Sequence, residues 1–142
     1  MIYFAAFFAG SFAYLGFAPN SIWLAPIISL FILNRLLTDK RLLKRIGVSQ
    51  AFGIGLLLPT QIWTGTYVGN APWILLSVIQ SFLFWPFAIR FKAKRNVNAS
   101  LFAFSAVLTE LLLRTIPFTG FGWSRLSFTQ CNGPLAVIYP YL

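Results

Sequence analysis

The chain has 142 residues, of which 58% are hydrophobic, 18% aromatic and 9% charged, with 11 basic residues against two acidic for a formal charge of +9. A soluble domain carries about a quarter charged residues, so this composition excludes an ordinary soluble globule and points to an integral membrane protein. With no histidine and one cysteine, Cys131, histidine acid–base catalysis, histidine metal sites and an internal disulfide are excluded as well.

Nothing charged lies between Met1 and Asn34. The chain enters apolar sequence almost at once, without a basic leading region or a small-residue cleavage site, so the first segment reads as a retained span. Gly16, Phe17, Ala18, Pro19 and Asn20 form a turn signal in the middle of this block. One helix is expected from Ile2 to about Phe17. A second is expected to be capped by Ser21 and to run to about Leu37, with Arg35 snorkelling to the interface. Both are near the short limit for a span; a shallow re-entrant hairpin is the alternative to two crossings.

A first basic cluster follows, made of Arg35, Lys40, Arg41, Lys44 and Arg45, with a loop over Thr38 to Arg45. Ile46 to Ile89 is then an uncharged run of 44 residues. At about 20 residues per span it holds two helices, with the break expected at Gly65 and Gly69 to Pro72 and a restart at Trp73. The Gly16–Trp23 and Gly69–Trp73 turns resemble one another loosely and read as two hairpin tips in one aromatic belt, not as an internal repeat.

Arg90, Lys92, Lys94 and Arg95 form the second basic loop. Asn98 or Ser100 is expected to cap a fifth helix running to about Ile116, ended by Pro117. A polar-aromatic stretch, Phe118 to Gly133, leads to Pro134–Tyr139, the apolar start of a sixth helix. These runs lack the alternation a barrel needs, and backbone groups in hydrocarbon must be satisfied internally. The expected fold is therefore all-α: a polytopic transmembrane helix bundle with about five spans and the start of a sixth. Parity puts the N-terminus and both basic loops on the cytoplasmic side, with both tips and the Phe118–Gly133 segment outside. The positive charge is topogenic, and nucleic acid is not an expected partner.

Few residues carry candidate chemistry. Glu110 and Arg114 are four apart, on one face of the fifth helix. A charge within a span is costly and usually faces a bundle interior or cavity, or is paired. Two readings stand: an ion pair that fixes packing, or a polar anchor beneath a substrate cavity. Thr119, Gly120, Phe121, Gly122 and Trp123 follow as an interfacial loop, where glycines permit close approach and the aromatics suit the headgroup zone. Cys131 has neutral neighbours and no base, so it is a poor nucleophile. No phosphate loop, metal-ligand spacing or carboxylate pair appears; the residues assign no catalytic site, cofactor or metal.

Glu110 to Arg114, then Thr119 to Trp123, then Ser127, Phe128, Thr129 and Gln130, then Gly133, Pro134 and Leu135 together resemble apolipoprotein N-acyltransferase. That family typically shows E-x-x-x-R, T-G-F-P-W, a G-Y-S-Q-like stretch and P-L in this order. Gly16 to Pro19 with Trp23 is similar to its L-A-F-x-P segment, and Gly53 to Trp63 with Tyr67 to its next span. The match covers nearly the whole chain, residues 1–142, with the fifth-helix motif its most specific part. Gly122 departs from the family's usual proline.

The resemblance implies a two-step acyl transfer. A phospholipid acylates a cysteine thiol, and the acyl group then passes to the α-amine of a lipoprotein's N-terminal diacylglyceryl-cysteine. The family's cysteine nucleophile, glutamate base and oxyanion-stabilising lysine belong to a periplasmic nitrilase-like domain. No residue of this chain aligns with those three, so the expectation is a truncated N-terminal transmembrane domain, inactive alone, in the bacterial inner membrane. Glu110, Arg114, Gly120, Phe121 and Trp123 would then shape or brace a substrate cavity. Its partners would be membrane phospholipid, a lipoprotein substrate and a separate chain carrying the catalytic domain. The rival readings are a non-enzymatic membrane scaffold or partner subunit, and a small transporter.

Overall fold

Uncharged apolar runs without strand-like alternation fold as helices, and a computed structural model shows six of them among the residues it describes. It describes residues 1–38, 41–89, 95–116, 120–134 and 136–137, with no strand among these. The helices are α1 (Ile2–Ala13), α2 (Leu24–Leu36), α3 (Leu42–Thr60), α4 (Ile62–Val68), α5 (Asn70–Ser81) and α6 (Arg95–Thr115). Tight 3-10 turns extend α1 to Gly16 and α5 from Phe82 to Ala88, and two more cover Gly122–Ser124 and Leu126–Gln130. Two continuous stretches, Asn70–Ala88 and Val97–Thr115, are long and apolar enough to cross a membrane by length and composition. Ile2–Gly16 and Leu24–Leu36 are shorter apolar helices.

Several expected boundaries move, for local reasons. Ser21 does not cap α2; it takes a left-handed φ of 53°. Its N–H and that of Ile22 are spent inside the turn, on the carbonyls of Phe17 and Leu15. The helix starts three residues later, with Trp23 as an N-cap that makes no side-chain hydrogen bond. The central block breaks first at Gln61, ahead of Gly65. Pro59 lies in the last turn of α3, and a proline lacks the N–H that would bond back into the helix. Asn98 and Ser100 lie inside α6, which already begins at Arg95. The expected stop at Pro117 and half of the expected Pro134–Tyr139 start of a sixth helix fall outside the described residues.

Close backbone approach sets the packing of α1 on α3. A Cβ added at Gly10 would run into the Phe52 carbonyl oxygen and sit 2.9 Å from the Leu56 nitrogen, while one at Gly55 would strike the Phe7 carbonyl. Each helix thus offers a glycine to the other's backbone, and Ser11 Oγ donates to the Gly55 carbonyl at 3.1 Å. Ala6, Ala9 and Ala13 continue the small-residue face into the core with Phe52, Leu56 and Leu57. On the other side of α1, Ser29 of α2 donates to the Ala9 carbonyl.

Polarity is distributed unlike that of a water-soluble core. Ser29, Ser49, Gln61, Ser77, Gln80, Ser81, Ser105 and Thr109 are buried, whereas Phe4 is 71% exposed and Phe104 63%. Gln61 Nε2 donates to Gln80 Oε1, and Ser77 Oγ donates to Gln61 Oε1 at 3.3 Å. This amide pair spans the break after α3 and ties it to α5.

The direction of the helices sorts the loops. Gly47, near the start of α3, packs against the Tyr3 ring near the start of α1, so these two helices run the same way. Arg41, Lys44 and Arg45 therefore lie beside the beginning of α1, and Arg35 is in the last turn of α2. The Trp73 indole N–H donates to the Leu58 carbonyl at 3.0 Å, pairing the start of α5 with the end of α3. Phe87 meets Phe102 at 5.1 Å between ring centroids, so α6 begins where the α5 extension ends. The tips after α1 and α3 thus share the end at which α6 finishes.

Candidate functional site

At that end the segment from Gly120 to Gly133 folds back over the helices as a strap. Gly120 makes the reversal: its φ is +80°, and a Cβ there would run into the carbonyl carbon and oxygen of Arg114. Glycine is the residue that takes this conformation without a steric penalty. The reversal lets the Phe121 N–H donate to the Leu113 carbonyl at 2.8 Å, satisfying one of the carbonyls that a helix C-terminus leaves open.

Beyond this turn the strap is fastened to four regions. Phe121 stacks on Trp63 of α4 at 5.9 Å and 19°, and Trp123 meets the same indole edge-on at 5.8 Å. Tyr67 adds a third ring to Trp63 at 6.2 Å. The hydroxyls of Thr60 and Ser124 are 2.8 Å apart, which anchors the strap to the end of α3. Gln130 Nε2 donates to the Trp23 carbonyl at 3.1 Å, and buried Thr129 fills the space beside Gly16. The first tip, the second tip, the end of α6 and the strap therefore meet at one place.

Glu110 is central to that junction, but not through the partner its spacing suggested. Oε1 accepts the Ser127 N–H at 3.1 Å. Oε2 is 4.0 Å from Arg125 Nε, with the two side chains 24% and 33% exposed respectively. The expected Glu110–Arg114 pair is not made: Arg114 is exposed, and its contribution is the backbone beneath Gly120. Once Gly120 reverses the chain, Arg125 and Ser127 lie back along α6 and reach the carboxylate from the strap side. The Arg125 guanidinium also lies over the Phe128 ring at 5.1 Å.

Two hollows open at this junction. An apolar slot of about 310 Å³ lies between α2 and α6, with Ile27 and Leu30 on one wall, Ala106 and Val107 on the other, and Glu110 and Ser127 at its head. A second, of about 320 Å³, is aromatic, with Tyr14, Phe17, Trp63 and Trp123 around Pro59. Of the sequence candidates, Glu110 lines the first and Trp123 the second, Phe121 buttresses Trp63, Gly120 makes the turn, and Arg114 lines neither. Cys131 is exposed.

Arg125, Thr60 and the Gln61–Gln80 pair were not singled out by sequence reasoning, and Gln130 entered only through the family resemblance. The glutamines had a legible signal, two carboxamides inside an otherwise apolar uncharged block, since such groups need partners when buried. Arg125 had none beyond its charge. Chemically, the arrangement offers a hydrocarbon-lined slot with a polar head, beside an aromatic wall.

Residues 9–142 match the family model described as the apolipoprotein N-acyltransferase N-terminal domain. An apolipoprotein N-acyltransferase of Wigglesworthia glossinidia brevipalpis is 29% identical over 154 aligned positions, which cover 98% of this chain and 31% of that relative. The chain thus spans about a third of the length of the curated relative it matches.

Proposed function

Because the chain belongs to the family defined by the N-terminal domain of apolipoprotein N-acyltransferase, we propose that it is the membrane-embedded helical part of an N-acyltransferase-like protein. In this reading the helices hold lipid-tailed substrates, and the acyl-transfer residues are supplied by sequence outside these 142 residues or by a separate chain. The acyl donor is a membrane phospholipid, and the acceptor is the α-amine of a lipoprotein's diacylglyceryl-cysteine. The observation that carries the reading is convergence. Segments that resemble the family's motifs, from Gly16 to Trp23, Trp63 to Tyr67, Glu110, and Phe121 to Gln130, are far apart in sequence but form one junction.

The membrane placement is supported by the inverted polarity. Exposed phenylalanines face outward while Ser29, Ser77, Ser105 and the Gln61–Gln80 pair are buried and make hydrogen bonds. Hydrocarbon tolerates the former, and helix contacts there use small and polar residues. Five crossings follow if α1, α2, α3, α5 with its extension, and α6 each traverse the bilayer. The basic end is then cytoplasmic and the strap external, which sets Glu110, Arg114 and the Gly120–Trp123 loop as the floor beneath an external catalytic domain. Splitting the transfer through a covalent acyl intermediate lowers each barrier, and the part played here is to present the chains.

The purified 142-residue chain, reconstituted in phospholipid vesicles with a diacylated lipopeptide, is expected to leave the lipopeptide mass unchanged. A mass increase of one acyl group would place the catalytic residues inside this chain and contradict the division of labour.

A further inference from the structure

The strap walls two hollows that are otherwise separate. Its residues Leu126, Ser127 and Gln130 line the slot between α2 and α6, and its Trp123 lines the aromatic hollow with Tyr14, Phe17 and Thr60. Among the described elements it alone contributes to both. Any movement of the strap therefore alters the two hollows at once.

The strap holds itself together better than it holds the helices. Within it the Phe128 N–H donates to the Arg125 carbonyl at 3.1 Å, and the Gly133 N–H to that of Gln130 at 2.9 Å. Its buried positions are small or polar, namely Ser124, Thr129 and Gly133. Leu126 reaches the core cluster but is only partly buried, while Trp123 is 64% and Phe128 48% exposed. A segment with little buried apolar surface opens at lower free energy than the core beneath it.

The closed position also leaves polar atoms unsatisfied. Arg125 Nε and Ser127 Oγ are buried without a hydrogen-bond partner. Buried donors are almost always paired, and lifting the strap would return both to water. Two latches oppose that movement. On the slot side Glu110 accepts the Ser127 N–H. On the aromatic side the Thr60 and Ser124 hydroxyls lie 2.8 Å apart, and Trp123 meets Trp63 edge-on. Gly120, with a φ of +80°, is the pivot at the near end, and the bond from Gln130 to the Trp23 carbonyl fastens the far end.

We propose that the strap is a lid swinging between these two ends, and that it opens and closes the slot and the aromatic hollow together. By linkage, an occupant that wedges either hollow open makes the other accessible. The lid acts in the same way whatever the hollows hold, so it stands apart from the acyl-transfer reading.

The test uses the full chain in nonionic detergent with Cys131→Ser and one reporter, Ala106→Cys in the slot wall or Tyr14→Cys in the aromatic hollow. The rate of labelling by a water-soluble maleimide reads opening. Each latch is broken in turn by Glu110→Ala or Thr60→Val, and the decisive reporter is the one in the hollow that the broken latch does not line. Glu110→Ala is expected to speed labelling of the Tyr14→Cys reporter at least about fivefold. Thr60→Val is expected to do the same for the Ala106→Cys reporter, with the helical circular dichroism signal unchanged. Effects confined to the hollow beside the broken latch overturn the proposal. Where a latch variant loses its helical signal, the reverse experiment decides. Thr60→Cys with Ser124→Cys, oxidised to a disulfide, is expected to slow labelling of the Ala106→Cys reporter by a similar factor relative to the reduced chain, read peptide by peptide by mass spectrometry. Unchanged labelling there overturns the lid as well.

Discussion

Gly10→Leu and Gly55→Leu are each expected to cost at least about 3 kcal/mol of helix-packing stability, the upper part of the range for overpacking. The reason is what the new side chain meets. At Gly10 it is the Phe52 carbonyl oxygen and the Leu56 nitrogen, and at Gly55 the Phe7 carbonyl. These are backbone atoms of helices, which cannot rotate aside as a side chain can, so the two helices must separate. Separation would strip Ala6, Ala9 and Ala13 of their contacts with Phe52 and Leu56 in the same stroke. Unfolding in mixed detergent micelles, followed by circular dichroism, measures the loss. Gly122→Ala is the control, because a Cβ there meets only side-chain atoms at 3.7 Å or beyond, and it is expected to stay within about 0.5 kcal/mol. Equal effects at Gly10 and Gly122 would mean that α1 does not ride on α3 through its glycine.

Glu110→Ala is expected to release the strap without unfolding the helices. It removes the acceptor of the Ser127 N–H and leaves Arg125 beside no carboxylate. Losing a partly buried charged acceptor costs about 2 kcal/mol, equivalent to a roughly thirtyfold rise in local opening. Trypsin reads this directly, since Arg125 lies within the strap. Cleavage after Arg125 is expected to accelerate roughly tenfold or more in Glu110→Ala and to stay at the wild-type rate in Arg114→Gln. The opposite ranking would restore the four-residue pairing on α6 and remove the strap's anchor.

That pairing shows where sequence legibility ends. Spacing along a helix places Glu110 and Arg114 on one face, but it carries no information about a chain that returns from beyond the helix. Gly120 was legible as a place for close approach. The consequence of the reversal, Arg125 and Ser127 delivered to the carboxylate, depends on where the turn aims the chain. The long uncharged block was read correctly as more than one helix, because charge segmentation reflects what hydrocarbon tolerates. Its break at Gly69 is where α4 gives way to α5, with a φ of 91°, whereas the earlier break at Gln61, just after Pro59 in the last turn of α3, was not expected. The cap expected from Ser21 failed because the tip closes on itself through Phe17 and Leu15 before the helix can start. The aromatic junction was half legible: Phe121 and Trp123 were placed in the headgroup zone, and their stacking on Trp63 required the break at Gln61 that turns α4 toward the strap.

The Gln61–Gln80 pair illustrates a broader point about apolar helices. A carboxamide in an apolar block is costly alone and useful in pairs, and here one amide sits at the break that aims Trp63 while the other sits on the neighbouring helix. The fold thus admits paired polar groups into a core that also holds Phe52, Phe84 and Phe87. The candidate junction sits at the end where α1, α3 and α6 finish.

The most direct test of the account uses the single cysteine. Cys131 is free and exposed, on the strap that the account places outside the bacterial inner membrane. A membrane-impermeant maleimide added to intact spheroplasts is expected to label it, with the labelled chain remaining in the carbonate-washed membrane pellet. Labelling that appears only after the spheroplasts are opened, or a labelled chain released by carbonate, would contradict the account.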